Sequence, residues 1–117
     1  MAHPALMISE LNKLYPALPI HVWVYGVFNT TLPHAASGVK GMLAASESRL
    51  IFLGKEKDEQ NVVLEIGFED IKWITFQTEP NVITCGLQDG GYLEMSLISR
   101  GDPQGLAALL KTHVGNP

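Results

Sequence analysis

Tyr92-Leu-Glu-Met-Ser-Leu-Ile-Ser-Arg-Gly-Asp-Pro-Gln-Gly-Leu-Ala-Ala-Leu-Leu-Lys-Thr-His-Val114 changes its period midway. In its first part apolar and polar residues alternate: Leu93, Met95 and Leu97 on one face, Glu94 and Ser96 on the other. That two-residue period predicts a strand over Tyr92–Ile98. Asp102 then stands where a helix N-cap belongs, with Pro103 at the first helical position. Leu106, Leu109, Leu110 and Val114 form one stripe at helical spacing. Lys111 and His113 fall in the last turn, where positive charge suits the helix dipole, and Gly115 is a stop signal. A helix over about 103–114 that lays its apolar stripe on a sheet follows from this pattern.

Upstream, the same alternation recurs in short runs. His21–Thr30, Val39–Ala45, Arg49–Leu53, Val62–Ile66, Ile71–Gln77 and Val82–Leu87 read as strands rich in β-branched and aromatic residues. Ser46-Glu-Ser48, Glu79-Pro-Asn81 and Gln88-Asp-Gly-Gly91 are turn signals; Thr31–Gly38 is a loop and Gly54–Asn61 a charged turn. Val62, Leu64, Ile66 and Phe68 share a face. At the start, Leu6, Met7, Leu11 and Leu14 recur at helical spacing over about 4–14, and Pro16 and Pro19 stop that helix. The expected architecture is mainly β. About seven antiparallel strands over 21–98 form a barrel, the C-terminal helix caps its open end, and a short helix precedes it. At 117 residues the chain suffices for one core, and a single domain over 1–117 is expected.

Composition narrows the function classes. Hydrophobic residues at 46% and charged residues at 17% describe a compact globular chain. The net charge of −4, from 8 Lys+Arg against 12 Asp+Glu, argues against nucleic-acid binding and against a purely electrostatic hold on an anionic membrane. No apolar run approaches the ~18 residues of a membrane span, and the start carries no signal-peptide pattern. One cysteine, Cys85, cannot form an internal disulfide and suits a reducing compartment, so a cytoplasmic location is expected.

Two stretches resemble a known family. Gly41-Met-Leu-Ala-Ala-Ser-Glu-Ser-Arg-Leu-Ile-Phe-Leu53 has a glycine, a strand, a small polar turn, then Arg-Leu-hydrophobic-Phe. Ile66-Gly-Phe-Glu-Asp-Ile-Lys-Trp-Ile74 has a strand, an acidic turn and an isoleucine ahead of the next strand. Both are similar to bacterial pleckstrin-homology-like (PH-like) domains, especially the YokE-like group, and more distantly to GRAM domains. With the closing helix, the resemblance covers about 4–114 in order of elements. It implies a PH-like barrel, a fold that hosts many functions. Phosphoinositide-binding relatives gather Lys and Arg around the first strand-to-strand loop. Here Thr30–Gly38 has neither, and Lys40 follows just after. Membrane lipid is therefore expected to bind weakly.

No catalytic constellation is visible. His3, His21, His34 and His113 are too scattered for a metal site, and neither metal nor other cofactor is expected. Cys85 shares a face with Ile83 and Leu87, the setting of a buried small hydrophobe. Asp89-Gly-Gly91 sits in a hairpin with no following helix, which suits a turn better than a phosphate loop. Glu69-Asp70, and Glu56, Asp58 and Glu59, read as solvated turn charges. Arg49 either contacts a ligand or anchors a strand end through an acid such as Glu47. His34, Lys40 and Arg49 are the candidate ligand-loop residues.

Trp23, Tyr25 and Val27 are the candidate interaction surface. Trp23 and Tyr25 lie opposite Val22, Val24 and Phe28, so both faces of the first strand are apolar. Either the N-terminal helix covers the outer face, with Leu6, Leu11 and Leu14 against Trp23 and Tyr25, or another chain does. The expected function is non-enzymatic binding of a protein partner or a second copy. The alternative is a lipid or small amphiphile in the barrel mouth, and an enzyme comes third.

Overall fold

A computed structural model describes residues 4–31, 38–55 and 61–114. Helix α1 spans Pro4–Leu14. The strands are β1 (Val22–Thr30), β2 (Val39–Ala45), β3 (Arg49–Lys55), β4 (Asn61–Gly67), β5 (Ile71–Gln77), β6 (Val82–Leu87) and β7 (Tyr92–Gly101), followed by helix α2 (Pro103–His113). All pairings are antiparallel, in the order β4-β3-β2-β1-β7-β6-β5. The sheet curls into a half-barrel whose two edges are β4 and β5. These are joined by a 3-10 turn, Phe68–Asp70.

Inward-facing residues fill the half-barrel. Val24, Phe28, Leu43, Phe52, Ile83, Cys85, Leu93 and Met95 are all buried. The Phe28 and Phe52 rings stack with centroids 4.2 Å apart, and glycine at 41 and 54 makes room for them. A Cβ at either glycine would come 2.8 Å from the Phe52 ring. Helix α2 packs across β1 and β5 and inserts Leu106 and Leu110, both fully buried. Its start is built as expected: the Asp102 carboxylate accepts from the Gly105 N–H at 2.9 Å. Leu109 belongs to the stripe but is only partly buried, because it lies at the stripe's margin.

A second, smaller apolar cluster sits on the outer face, so the chain has more than the one core expected. β2 and β3 are buried on both sides. Met42, Ala44, Ile51 and Leu53 point outward and meet Met7 and Leu11 of α1. The N-terminal helix does cover this face, through Leu11 as expected but with Met7 beside it instead of Leu6 and Leu14. Leu6 is 70% and Leu14 50% exposed, while Met7 and Leu11 are the contacts. A three-turn helix lying on a sheet seats one i, i+4 row, and the neighbouring positions splay away from it.

Leu97 departs from its expected inward position beside Leu93 and Met95. It is 69% exposed, with φ at +48°. Between the pairs Val27↔Ser96 and Tyr25↔Arg100, β1 advances two residues while β7 advances four. This bulge breaks the two-residue period and turns the side chain out. Beyond it β7 re-pairs with β1 as far as Val24↔Gly101, which is why the strand outlasts Ile98. β1 begins at Val22, one residue after His21, and the β3–β4 hairpin is longer than expected, pairing out to Lys55↔Asn61.

Candidate functional site

The register carries outer-face residues of successive strands into rows. Trp23 pairs with Ala44, Tyr25 with Met42, and Val27 with Lys40. On the other side of β1, Arg100 stands opposite Tyr25, and Ser96 opposite Val27. Trp23, Tyr25 and Val27 are half-buried, and Lys40 and Arg100 are exposed. Trp23 and Tyr25 pack against the cluster under α1. The sheet thus joins Lys40, expected to belong to a ligand loop, to the aromatic surface of β1. Helix α1 lies on the same face, with Leu6 and Leu14 exposed. His34 lies outside the described residues, as does the loop from 32 to 37.

Arg49 is not joined to Glu47. Its Nη1 donates to Glu65 Oε1 at 2.7 Å. Arg49 pairs with Gly67, and Ile51 with Glu65. Arg49 and Glu65 are therefore diagonal neighbours on one face of β3 and β4, whereas Glu47 lies in the preceding turn. The turn is closed by Ser46, whose Oγ accepts from the N–H groups of Ser48 and Arg49 at 3.2 and 3.1 Å. The Tyr15 hydroxyl, just past the end of α1, also bonds Glu65. The Arg49 guanidinium, then the Tyr15 hydroxyl, hold the Glu65 carboxyl below the usual carboxylate range. Burial, and then Glu65, push the Tyr15 hydroxyl up.

Arg49, Glu65 and Tyr15 thus tie the end of α1 to the β3–β4 hairpin. The depressed Glu65 pKa makes this contribution present above the unfolded carboxylate pKa and lost as pH falls through the folded value. The raised Tyr15 pKa makes its share present below the ordinary tyrosine pKa and lost as pH rises through the folded value. Because the ion-pair side chains are 43% and 42% exposed, the effect is small. Glu65→Gln is expected to cost under about 1 kcal/mol at neutral pH, and nothing measurable in acid, by urea denaturation at the two pH values.

A cleft of about 340 Å³ opens between the β4 edge, the 3-10 turn and the β6–β7 turn. Leu64, Ile66 and Leu87 give it apolar walls, and Asp70 and Asp89 also line it. Sequence reading missed it, because it forms only where the free edge of β4 comes beside the β6–β7 turn. The turn is held there by the Gln88 N–H bond to the Asp70 carbonyl, 2.9 Å.

Among the described residues no three His, Cys, Asp or Glu side chains gather as a metal site would require. Cys85 is fully buried, and burial pushes its thiol up to about 12. No described helix is long and apolar enough to cross a membrane.

No protein-family model and no curated protein matches this sequence. Among solved structures, the pleckstrin homology domain of USP37 is similar in fold. It has a TM-score of 0.58 and 11% sequence identity, over 80% of this chain and 96% of that one. Seven antiparallel strands in a half-barrel, a C-terminal helix and a short N-terminal helix make this a PH-like fold.

Proposed function

We propose that this chain is a non-enzymatic interaction module that docks another polypeptide on the outer face of β1, β2 and α1. The observation that carries this reading is the apolar surface α1 leaves uncovered. Half-buried Trp23, Tyr25 and Val27 lie on the face where Leu6 and Leu14 are exposed. Lys40 and Arg100 stand beside them in the register. Aromatic and aliphatic side chains with a charged margin are the makeup of a protein-binding surface. The two stretches named in the sequence, 41–53 and 66–74, support kinship with the bacterial YokE-like group, with GRAM domains further off; the lone Cys85 suits a cytoplasmic site of action.

A second copy of the chain is one such polypeptide. Because α1 covers the centre of this face within a single chain, the patch left for self-association is its margin. A lipid or amphiphile in the barrel mouth has less support, since α2 fills that mouth with Leu106 and Leu110. With Lys40 as its nearest cation, the first strand-to-strand loop is poorly equipped for a phosphorylated headgroup.

The test is affinity capture from the native cell with mass spectrometry, comparing the wild type with Leu14→Glu/Lys40→Glu. Both sites are exposed, so the circular-dichroism spectrum should not change. The double variant should lose at least about tenfold in partner retention, the scale of losing one anchor. Light scattering shows whether the partner is a second copy, in which case Trp23→Glu should also shift it to monomer. Equal capture by the double variant, or selective flotation with phosphoinositide liposomes at physiological salt, would overturn the reading.

A further inference from the structure

We propose a second docking site that the sequence did not signal: the free edge of β4 and the cleft beside it take up an extended peptide with alternating basic and apolar residues. Three observations converge on this edge.

The first is its regularity. β4 pairs with β3 over its whole length, from Asn61↔Lys55 to Gly67↔Arg49, without a bulge. Phe68 donates its N–H to the Ser48 carbonyl at 3.1 Å. By the two-residue alternation, the backbone groups of Ile66 and Leu64 point to β3, and those of Val63, Glu65 and Gly67 point to the free edge. Folded proteins blunt such edges with proline, lysine, a bulge or a covering helix. β4, Asn61-Val-Val-Leu-Glu-Ile-Gly67, contains neither proline nor lysine, and it packs extensively only with β3 among the described elements. The other edge, β5, differs on both counts: it carries a bulge between Ile71 and Trp73, and α2 packs on it.

The second observation is the cleft. An added strand would project every other side chain toward the face of Leu64 and Ile66, and there the cleft offers an apolar pocket with Leu87 as its far wall.

The third observation is charge, and it selects the occupant. Asp70 and Asp89 line the cleft, and Glu65 and Glu69 border the neighbouring hollow with Arg49. Arg49 is already paired with Glu65. Antiparallel pairing of β4 with the β4 of a second copy would bring two such acidic margins together, which like-charge repulsion disfavours. Lysine or arginine on an incoming strand meets the carboxylates of Asp70, Asp89 and Glu69 instead. This site is separate from the outer-face surface, and the two stand or fall independently.

The probe is a set of fluorescein-labelled octapeptides in which valine alternates with lysine, glutamate or serine, read by anisotropy on the whole chain. The lysine peptide should bind and weaken with salt, and the glutamate peptide should not bind. Asp70→Asn/Asp89→Asn should weaken binding at least fivefold. Val63→Pro removes one free-edge N–H while leaving the β3–β4 ladder, a place where an edge strand tolerates proline. It should abolish binding with the circular-dichroism spectrum retained. A lysine peptide N-methylated on alternate residues keeps every charge but cannot add to a strand, and it should not bind. Leu6→Glu, on the outer-face surface, should leave peptide binding unchanged. Equal binding of the N-methylated peptide would reduce the effect to charge alone and overturn the proposal. So would equal binding of the glutamate peptide, or a wild-type dimer that Val63→Pro turns into monomer.

Discussion

Phe52→Ala is expected to lower the unfolding free energy by about 3–5 kcal/mol, the scale for deleting a buried aromatic ring. The Phe52 side chain is 1% exposed and stacks on Phe28, with the ring planes 16° apart. The ring lies in a slot kept open by glycine at 41 and 54, which face each other across β2 and β3. The two glycines have no side chain that could swing in, and the close-packed neighbours relax only partly, so a void remains. The chemical-denaturation midpoint should fall sharply at unchanged slope. Val63→Ala, on the same hairpin but 40% exposed, should move it by no more than about 0.5 kcal/mol. Equal shifts for the two variants would mean that the half-barrel does not close over Phe52.

Leu110→Ala should cost about 2–5 kcal/mol, and Leu109→Ala distinctly less. Both leucines belong to one apolar stripe, and the sequence does not rank them. Leu110 is fully buried, whereas Leu109 only packs against the core from its margin. Lys111, exposed in the last turn, should tolerate alanine within about 0.5 kcal/mol. A Leu109→Ala loss as large as that of Leu110→Ala would mean that α2 is rotated about its axis.

Local chemistry explains what was legible. The end of α1 follows from the prolines at 16 and 19, and the start of α2 from the Asp102 cap with Pro103 behind it. The hairpin at 88–91 follows from glycine, since Gly90 adopts φ +92°. Each signal acts within a few residues of itself and needs no distant partner. Cys85 was legible as a buried residue for a similar reason, because its neighbours in the strand period are apolar.

The errors have one cause. Leu97 followed the period of Leu93 and Met95 until a bulge, a property of two strands together, turned it outward. Leu6 and Leu14 shared the spacing of Leu11, yet Leu11 met the sheet with Met7 and the other two stayed exposed. Helical spacing marks a stripe several residues wide, and the sheet's shape selects the row within it. Arg49 found Glu65, sixteen positions away, rather than its neighbour Glu47, because the β3–β4 register sets them diagonally on one face.

The sequence by itself therefore determined the elements, their order and the apolar character of both faces of the first strand. These depend on periods and caps written within a dozen residues. Tertiary structure alone decided which strands became edges, where the cleft opened, and that Lys40 joined Val27 on one surface. Such features arise from pairing between segments far apart in the chain. A strand carries the same alternation whether its outer edge is paired or bare, so no local pattern records the difference.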